Sequence, residues 1–595
     1  MERLIYEKLK DVYGYTSFKQ GQQEIVESIL QKKDSVAIMP TGSGKSLCYQ
    51  LPALIFEGTT FVISPLISLM KDQVDTLNTM GVSSTYINSS VSRKEMNNRL
   101  MNISHQKYKL VYIAPERLDS EVFIERLQNI HIPLIAIDEA HCISQWGHDF
   151  RPSYMNIYQL IRKLPKKPVI AAFTATATNK VEADIISNLR LQKPNITKTG
   201  YARNNLSFSV LKGVNKQDFL QNYLKDRTEE SGVIYASTRK EVDQCYENLK
   251  KLGFSVEKYH AGLTEKVRKS NQDHFLYDDI KIIIATNAFG MGIDKSNVRF
   301  VIHLNLPKNI ESYYQEAGRA GRDGEPGECI LLFSPQDIIT QKYLIEQSEK
   351  DDNYKAKEYS QLQQMIDYCH TSNCLQQHIV RYFGDQTYDI CHKCSNCKDD
   401  RELTDITNDA LKVISCVKRM RERFGVTLTA KVLKGSADSK VKQFKFDQLS
   451  TYGLMKEKKE KEVIQLIQLL IADGFLELTE SKFPIVKLNN KSIQVLKGEE
   501  KVFQKVQIIA KKEVSFNYDK DLFEVLRSLR KQIADEENLP PFTIFHDASL
   551  VEMCEVRPNN EAAFLAIKGV GQAKFQKYGE RFIKCLADFQ DSITG

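Results

Sequence analysis

Short apolar runs alternate with amphipathic stretches along roughly the first 340 positions of the 595-residue chain. The runs fall at positions 36–39, 60–66, 134–137, 169–176, 232–236, 281–286 and 300–304. Runs without polar alternation are typical of strands buried on both faces of a parallel sheet, and the stretches between them suit crossover helices. The pattern therefore predicts two successive α/β domains, each built on a parallel sheet.

The pattern changes after the second α/β domain. Positions 409–497 read as basic amphipathic helices followed by a helix, a turn at Gly474 and two alternating strands around a short tip. This order is typical of a winged-helix domain. A lysine-rich connection at 501–512 then leads to a compact helical domain at 519–595. The whole chain is predicted to be a multidomain protein, which agrees with its length.

Composition indicates where the protein works and what kinds of partner it binds. No apolar run approaches the ~20 residues of a membrane span, and the first residues lack the pattern of a signal peptide. The sequence thus predicts a soluble, cytoplasmic protein that does not bind a membrane. The net charge of +7 decides little, but positions 410–460 hold 13 Lys and Arg against 5 Asp and Glu. That segment is either a phosphate-binding surface or an ordinary solvated helix face.

The first predicted strand leads into a glycine-rich turn and a helix. The turn consists of Met39, Pro40, Thr41, Gly42, Ser43, Gly44, Lys45 and Ser46. Such a turn aims backbone N–H groups at one phosphate, at the positive end of the helix dipole. Lys45 would reach the β- and γ-phosphates, and Ser46 would bind Mg²⁺. Met39 replaces the usual first glycine of this motif, so a Gly-Lys-Ser turn without special function is the alternative.

Two carboxylates follow the predicted strand at 134–137. Asp138 and Glu139 thus stand at the carboxyl end of a buried strand, where α/β folds bind ligands. Asp138 would hold Mg²⁺ through water, and Glu139 would orient and deprotonate the attacking water. A helix cap is the alternative, but a phosphate loop about 90 residues upstream favours catalysis.

Other residues around these motifs suit nucleotide or base contacts. Tyr15 and Gln22 have the side chains to stack on adenine and to pair with its edge, although a helix cap with a buried tyrosine is also open. Thr174 and Thr176 end a strand with hydroxyls that would sense the γ-phosphate.

A loop rich in aromatic residues follows the two carboxylates. Positions 142–154, here called the Trp146 loop, contain the single tryptophan of the chain together with Phe150 and Arg151. Aromatic faces and an arginine suit stacking on unpaired bases. A buried loop anchor is the alternative.

The second α/β domain lacks a phosphate loop but carries two arginines three positions apart, Arg319 and Arg322. They would lie on one face of a helix or turn. Supplied across a cleft, they would neutralise the departing γ-phosphate as arginine fingers do. The sequence therefore predicts one nucleotide held between the two domains.

Four of the twelve cysteines have the spacing of metal ligands: Cys374, Cys391, Cys394 and Cys397. Two overlapping Cys-x-x-Cys steps and a fourth cysteine fit a tetrahedral, structural Zn²⁺ site. An iron–sulfur cluster is the alternative, because cysteine ligation suits both. Cys369 is predicted to be packed in the core.

Taken together, these motifs resemble a superfamily-2 helicase, specifically the RecQ family of DNA helicases. The matching positions are 18–22, 39–46, 138–141, 142–154, 174–176, 259–263, 286–294 and 315–324. Asp-Glu-Ala-His followed by Cys-Ile-Ser-Gln-Trp-Gly-His-Asp-Phe-Arg-Pro is highly specific to that family. Later segments resemble the family's zinc-binding platform, winged helix and helicase-and-RNase-D C-terminal (HRDC) domain.

The resemblance implies two RecA-like domains at 1–203 and 204–340, a zinc-binding subdomain at 341–405, a winged helix at 406–512 and an HRDC-like domain at 513–595. It implies ATP, Mg²⁺, Zn²⁺, single-stranded and branched duplex DNA and single-strand-binding protein as ligands and partners. It also implies 3′→5′ unwinding in recombination and repair, a monomer, and coupling roles for His141, Thr174, Thr176 and Gln315. Lys19 stands in the adenine motif where the family usually has arginine, which weakens stacking.

The sequence leaves two interpretations open for Phe483 and two for the C-terminal domain. Phe483 lies near the tip of the predicted winged-helix hairpin, where the family has a strand-separating wedge, but a core position is equally open. The C-terminal domain has 10 Lys and Arg against 13 Asp and Glu, which favours weak single-strand contact or protein docking.

An RNA helicase and a non-enzymatic nucleic-acid scaffold are the other functions to consider. The zinc and winged-helix segments disfavour the RNA helicase, and the intact motor residues disfavour the scaffold.

Overall fold

A computed structural model describes residues 1–127, 130–147, 149–290, 295–479, 483–505 and 519–594. Positions 291–294 of one predicted helicase motif, His148 of the Trp146 loop and part of the connection at 501–512 lie outside these ranges.

The first domain is built on seven parallel strands. They are β1 Ser35–Ile38, β2 Thr60–Ile63, β3 Ser84–Ile87, β4 Leu110–Ile113, β5 Leu134–Ile137, β6 Val169–Thr174 and β7 Asn195–Lys198, in the order β3-β4-β2-β5-β6-β1-β7. Every residue of β1, β2, β4, β5 and β6 is buried, because helices cover both faces. The carboxyl ends of β1, β5 and β6 meet at one edge, where the site is built.

Eight helices cover this first sheet. They are α1 Glu2–Tyr13, α2 Gln22–Leu30, α3 Lys45–Ile55, α4 Ile67–Thr79, α5 Arg93–Ser104, α6 Glu121–Leu127, α7 Ile157–Lys163 and α8 Asn179–Asn188. Helix α3 begins inside the glycine-rich turn, at Lys45, so its N-terminus faces the edge where β1 ends.

The second domain repeats the design with six parallel strands and four helices. The strands are β8 Leu206–Lys212, β9 Ser231–Tyr235, β10 Val256–Tyr259, β11 Ile282–Ala285, β12 Val298–His303 and β13 Gly327–Phe333, in the order β10-β11-β9-β12-β13-β8. The helices are α9 Lys216–Lys225, α10 Arg239–Lys251, α11 Glu265–Leu276 and α12 Ile310–Ala317. Two consecutive parallel-sheet domains confirm the fold class predicted from the apolar runs.

Three helices lead to the cysteine-rich segment. They are α13 Pro335–Glu346, α14 Asp352–His370 and α15 Leu375–Tyr382. Position 340, the predicted end of the second α/β domain, falls inside α13.

The predicted winged helix is present. Its elements are β14 Leu403–Asp405, α16 Thr407–Arg419, α17 Val426–Lys434, α18 Ser439–Gln443, α19 Glu460–Ala472, β15 Glu477–Leu478, β16 Val486–Lys487, α20 Asn490–Lys497 and β17 Phe503–Lys505. Strands β15 and β16 form the antiparallel hairpin, and β14 pairs with β17.

Asp473, directly after α19, joins the winged helix to the zinc-binding subdomain. Its carboxylate accepts hydrogen bonds from the Thr371 and Ser372 hydroxyls at 2.8 and 2.6 Å and from the Asn373 amide at 3.1 Å. The carboxylate therefore binds three consecutive residues that follow α14.

The C-terminal domain is all-helical, as predicted. Its helices are α21 Lys520–Glu537, α22 Pro541–Ile544, α23 Asp547–Val556, α24 Glu561–Leu565, α25 Gln572–Lys574 and α26 Glu580–Thr594. Among the described residues, every helix is too short or too polar to cross a lipid bilayer.

Candidate nucleotide cleft and DNA-contact surfaces

The glycine-rich turn has the backbone that a phosphate-binding loop needs. Gly42 and Gly44 have φ values of 79° and 78°, in the left-handed region that favours glycine. A Cβ on Gly44 would lie 2.5 Å from Nε2 of Gln22, so a larger residue there would displace the end of the Gln22 side chain. Met39 is fully buried in the core of the first domain, and its carbonyl accepts from Lys45 Nζ at 3.2 Å. The contact with Lys45 uses only the backbone carbonyl of Met39. The Met39 side chain packs in the core, away from the loop.

Lys45 and the two carboxylates lie together on the first-domain side of the cleft. Asp138 and Glu139 follow β5, and the backbone N–H of Asp138 donates to the Ile63 carbonyl at the end of β2. Burial lowers the pKa of Lys45, and the charges of Glu139 and Asp138 oppose that change. Glu139 has a left-handed φ of 47°, a strained conformation typical of functional positions.

Arg319 and Arg322 face the same cleft from the second domain. A cavity of about 560 Å³ is lined by Thr41, Lys45, Asp138, Glu139, Arg319 and Arg322, among others. Burial raises the pKa of Glu139, and the positive charges of Lys45, Arg322 and Arg319 counteract it. Within the described part of the chain, Nε and Nη1 of the buried Arg319 have no hydrogen-bond partner. The two domains thus place these charged groups around one shared cavity.

Arg203, which the sequence motifs do not reveal, joins the two sides of the cleft. Its guanidinium donates to the Thr41 carbonyl at 2.5 Å and to the carbonyls of Ala320 and Gly321 at 3.1 and 3.0 Å. Thr41 also donates to the Gly318 carbonyl at 3.1 Å. An arginine in the connection between the two sheets therefore binds the phosphate loop to the arginine-bearing turn.

The predicted adenine-contacting residues lie at the mouth of this cleft. Tyr15 and Lys19 line the cavity. Gln22 is buried, accepts from the Lys19 backbone N–H at 2.9 Å, and donates to the carbonyls of Ser43 and Gly44 at 2.9 and 3.2 Å. In this conformation the Gln22 amide therefore supports the phosphate loop.

The predicted coupling residues form a continuous polar connection between the domains. Oε2 of Glu139 lies 3.3 Å from Nδ1 of His141, which lies 2.9 Å from the Thr174 hydroxyl. The Thr176 N–H donates to that hydroxyl at 3.2 Å, and Gln315 of α12 donates to the Thr176 hydroxyl at 3.4 Å. Burial lowers the pKa of His141 to about 3, so the imidazole is neutral at physiological pH. His141, Thr174, Thr176 and Gln315 therefore lie in one row of polar contacts from the Glu139 carboxylate to α12.

The Trp146 loop presents its tryptophan to solvent. The side chain of Trp146 is 44% exposed, so the buried-anchor interpretation is wrong. Phe150 is half-buried, and Arg151 bonds Asp149 at 3.1 Å and the Pro65 carbonyl at 2.9 Å. The loop therefore combines an open aromatic face with an anchored arginine.

The four cysteines form one compact cluster. Their sulfur atoms all lie within 4.8 Å of one another. Backbone N–H groups of Leu375, Gln377, Cys391, Cys394 and Cys397 donate to these sulfurs at 3.3–3.4 Å. Such bonds favour the thiolate form that a metal needs. Cys369 is buried elsewhere in the core, as predicted.

Phe483 is 78% exposed in the segment between β15 and β16. The core interpretation of this residue is therefore wrong. Positions 480–482 of the same tip lie outside the described residues.

The C-terminal domain docks across the mouth of the cleft, which the sequence does not reveal. The Gly569 N–H donates to the Gly14 carbonyl at 3.4 Å, and His546 lies 3.1 Å from the Ser296 hydroxyl of the second domain. Ser549 and Lys568 line the same cavity as Lys45 and Glu139. The glycine turn at 569–571 packs on the end of α1 in this arrangement.

A buried layer of charges joins this domain to the second α/β domain. Asp278 pairs with Lys295 and lies 4.0 Å from Arg530, which forms an ion pair with Asp547 at 2.8 Å. Burial alone would raise the pKa of Asp278, but the cations around it, Lys295 first, hold it below its ordinary value. Removing one partner from such a layer leaves a buried charge uncompensated.

Comparisons with known proteins agree with this arrangement. The DEAD/DEAH box helicase model matches residues 19–184, and the helicase conserved C-terminal domain model matches 215–324. The models of the RecQ zinc-binding, RQC and HRDC domains match residues 335–398, 400–513 and 519–586. The two sheets with a cleft between them therefore define a helicase of the DEAD/DEAH-box class.

Full-length relatives specify the family. The chain is 51% identical over 577 residues to the ATP-dependent DNA helicase RecQ of Bacillus subtilis. This alignment covers 97% of each chain. It is 39% identical over 599 residues to the protein of that name from Pasteurella multocida, covering 98% of this chain and 94% of that one. This chain belongs to the RecQ family of ATP-dependent DNA helicases, and the four thiolates are its Zn²⁺ site.

Replacing Cys394 with alanine is expected to lower the melting temperature by about 5–10 °C, because structural zinc contributes directly to folding. Differential scanning calorimetry together with zinc content measures the effect. Cys245→Ala, at a half-buried cysteine outside the cluster, is the matched control. Unchanged melting of the Cys394 variant would contradict a structural role for the site.

Proposed function

We propose that this protein couples ATP hydrolysis to 3′→5′ movement on single-stranded DNA and unwinds duplex or branched DNA in recombination and repair. The observation that carries the proposal is the meeting of Lys45, Asp138 and Glu139 with Arg319 and Arg322 around one cavity. The names of the full-length relatives support DNA as the substrate.

The roles of the cleft residues follow from their positions. The backbone N–H groups of the glycine-rich turn and the Lys45 ammonium would hold the β- and γ-phosphates, while Ser46 and Asp138 would hold Mg²⁺. When bound, Mg²⁺ would supply positive charge that neutralises the phosphates. Glu139 accepts a proton from the attacking water.

The second domain completes the site. Arg319 and Arg322 stabilise the negative charge that develops on the transferred phosphoryl group. When that charge leaves, the attraction that holds the arginines toward the first domain weakens, so the cleft can open. The connection from Glu139 to Gln315 links this event to α12.

Single-stranded DNA is proposed to cross the Trp146 loop. An exposed indole offers a stacking surface of ~1–3 kcal/mol per base without sequence preference. The loop begins directly after His141, so a base on Trp146 is connected along the chain to the carboxylates. This placement explains how DNA would stimulate ATP hydrolysis.

One experiment tests this function: ATP turnover with and without single-stranded DNA, alongside unwinding of a labelled fork. We expect DNA to stimulate turnover, and Lys45→Ala to reduce turnover by about 10²–10³-fold. A single-stranded RNA of equal sequence serves as the competing substrate. Stimulation by RNA and failure to open the DNA fork would contradict the proposal.

Phe483 is proposed to separate strands at the fork. A base-pair step holds ~1.4 kcal/mol, so removing a stacking ring is expected to slow unwinding about 3–10-fold without lowering ATP turnover on single strands. Stopped-flow unwinding of a fluorescent fork measures this. Ile493→Ala, at an exposed apolar residue of the same domain, is the control. If Phe483→Ala unwinds at the unmodified rate, the ring is not the separator.

Finally, we propose that the protein works in the cytoplasm at the nucleoid, as a monomer, with single-strand-binding protein as a partner. The family resemblance supports these points. Analytical ultracentrifugation, alone and with single-strand-binding protein, tests the monomer and the complex.

A further inference from the structure

Helix α14 of the zinc-binding subdomain contacts the Trp146 loop through one lysine. Lys357 Nζ donates to the Gln145 carbonyl at 3.0 Å and lies 5.3 Å from the centre of the Trp146 ring. Lys180 of the first domain lies 2.8 Å from the same ring centre. The tryptophan thus keeps one part of its surface open while two ammonium groups from different domains hold it.

The same helix also contacts the helix that precedes the arginines. Gln361, one turn after Lys357, donates to Oε1 of Glu311 at 3.1 Å. Glu311 is only 5% exposed and lies in the first turn of α12, which carries Gln315 and leads to Arg319. One face of α14 therefore joins the Trp146 loop to the arginine-bearing segment.

Charge connects the two contacts as well. Burial lowers the pKa of Lys357 to about 8, and the negative charge of Glu311 is the largest influence that opposes this change. Reciprocally, Lys357 is among the groups that counteract the burial of the Glu311 carboxylate, whose pKa is raised. The ammonium thus interacts both with the loop and with the buried carboxylate of α12.

We propose that Lys357 is a positioning residue that couples DNA contact at the Trp146 loop to the arginines of the second domain. A base that stacks on Trp146 takes ring surface that Lys357 and Lys180 now occupy. Moving the Lys357 ammonium alters its attraction to Glu311 and hence the position of α12. This proposal rests on the proposed function, in which the Trp146 loop binds single-stranded DNA.

The test compares Lys357→Gln with Lys355→Gln in the full-length protein. Glutamine keeps a donor for the Gln145 carbonyl but removes the charge. Lys355 lies on the same helix and donates to the Glu346 carbonyl, away from the loop. We expect the ratio of DNA-stimulated to unstimulated ATP turnover to fall about tenfold in Lys357→Gln and less than twofold in Lys355→Gln.

Intrinsic fluorescence gives a second readout, because Trp146 is the single tryptophan of the chain. We expect Lys357→Gln to shift the emission of the DNA-free protein and to change its titration with oligo(dT). Lys355→Gln should match the unmodified protein in both. A merely structural role of α14 would lower the melting temperature without this selective change in emission.

A double-variant cycle with Glu311→Gln tests the path itself. If Lys357 and Glu311 act along one path, the double variant loses no more coupling than the larger single loss. The inference is overturned if Lys357→Gln keeps the turnover ratio within twofold, or if the two losses multiply. If Glu311→Gln does not fold, the comparison of Lys357→Gln with Lys355→Gln decides whether Lys357 couples the two sites.

Two results distinguish an error in the DNA-contact function from an error in the coupling role of Lys357. If oligo(dT) changes neither the emission nor the turnover of the unmodified protein, the DNA-contact function itself is wrong. If the unmodified protein and Lys357→Gln respond equally, only the coupling role of Lys357 is wrong.

Discussion

Arg322→Ala is expected to lower the maximal rate of ATP hydrolysis by about 10³-fold, which corresponds to ~4 kcal/mol of lost transition-state stabilisation. The guanidinium comes from the domain opposite Lys45 and acts on charge that grows during the reaction. Ground-state affinity should change far less than turnover. Steady-state turnover and binding of a fluorescent, non-hydrolysable ATP analogue separate the two effects.

Arg322→Lys is the matched control for geometry. It keeps one positive charge but loses the planar fork that binds two oxygens, so we expect an intermediate loss. Equal activity of Arg322→Ala and the unmodified protein would show that hydrolysis does not need the second domain. The proposed cleft would then not be the working site.

Glu139→Gln is expected to reduce turnover by about 10²–10⁴-fold, the usual contribution of a general base. Glutamine preserves the shape beside His141 but cannot take the proton from water. Nucleotide binding should persist, because Lys45 and the glycine-rich turn are unchanged. A single-turnover assay with pre-bound nucleotide measures the chemical step directly.

Glu182→Gln provides the comparison for this variant. Glu182 lies in the same domain and pairs with Lys198 at 2.5 Å, outside the cleft lining. We expect turnover within twofold of the unmodified protein. If Glu139→Gln also remains within tenfold, another group accepts the proton.

The parts of the fold that the sequence predicts correctly are those encoded in contiguous residues. The apolar runs predicted the positions of seven strands, namely β1, β2, β5, β6, β9, β11 and β12, and Lys45, Asp138 and Glu139 each follow one of those runs. The zinc cluster was predictable for a similar reason, because three of its four ligands lie within seven positions.

Contacts between distant segments could not be predicted in this way. Arg203 is 162 positions from Thr41, and its role exists only once both sheets have folded and met. The contact of Gly569 with Gly14 joins the two ends of the chain. Phe483 lies at the tip of the hairpin, where the alternation that distinguishes buried from exposed positions ends.

The carboxylate of Asp473 has a mechanical consequence. A hairpin that separates the strands of a duplex experiences a force equal to the one that it exerts. A flexible attachment would let the hairpin move under that force and would weaken its action on the duplex. Three side chains after α14 grip this carboxylate immediately before the hairpin. In the function proposed above, the hairpin would stand on a support that includes the metal-bearing subdomain, and force at the fork would pass through Asp473 to the residues that follow α14.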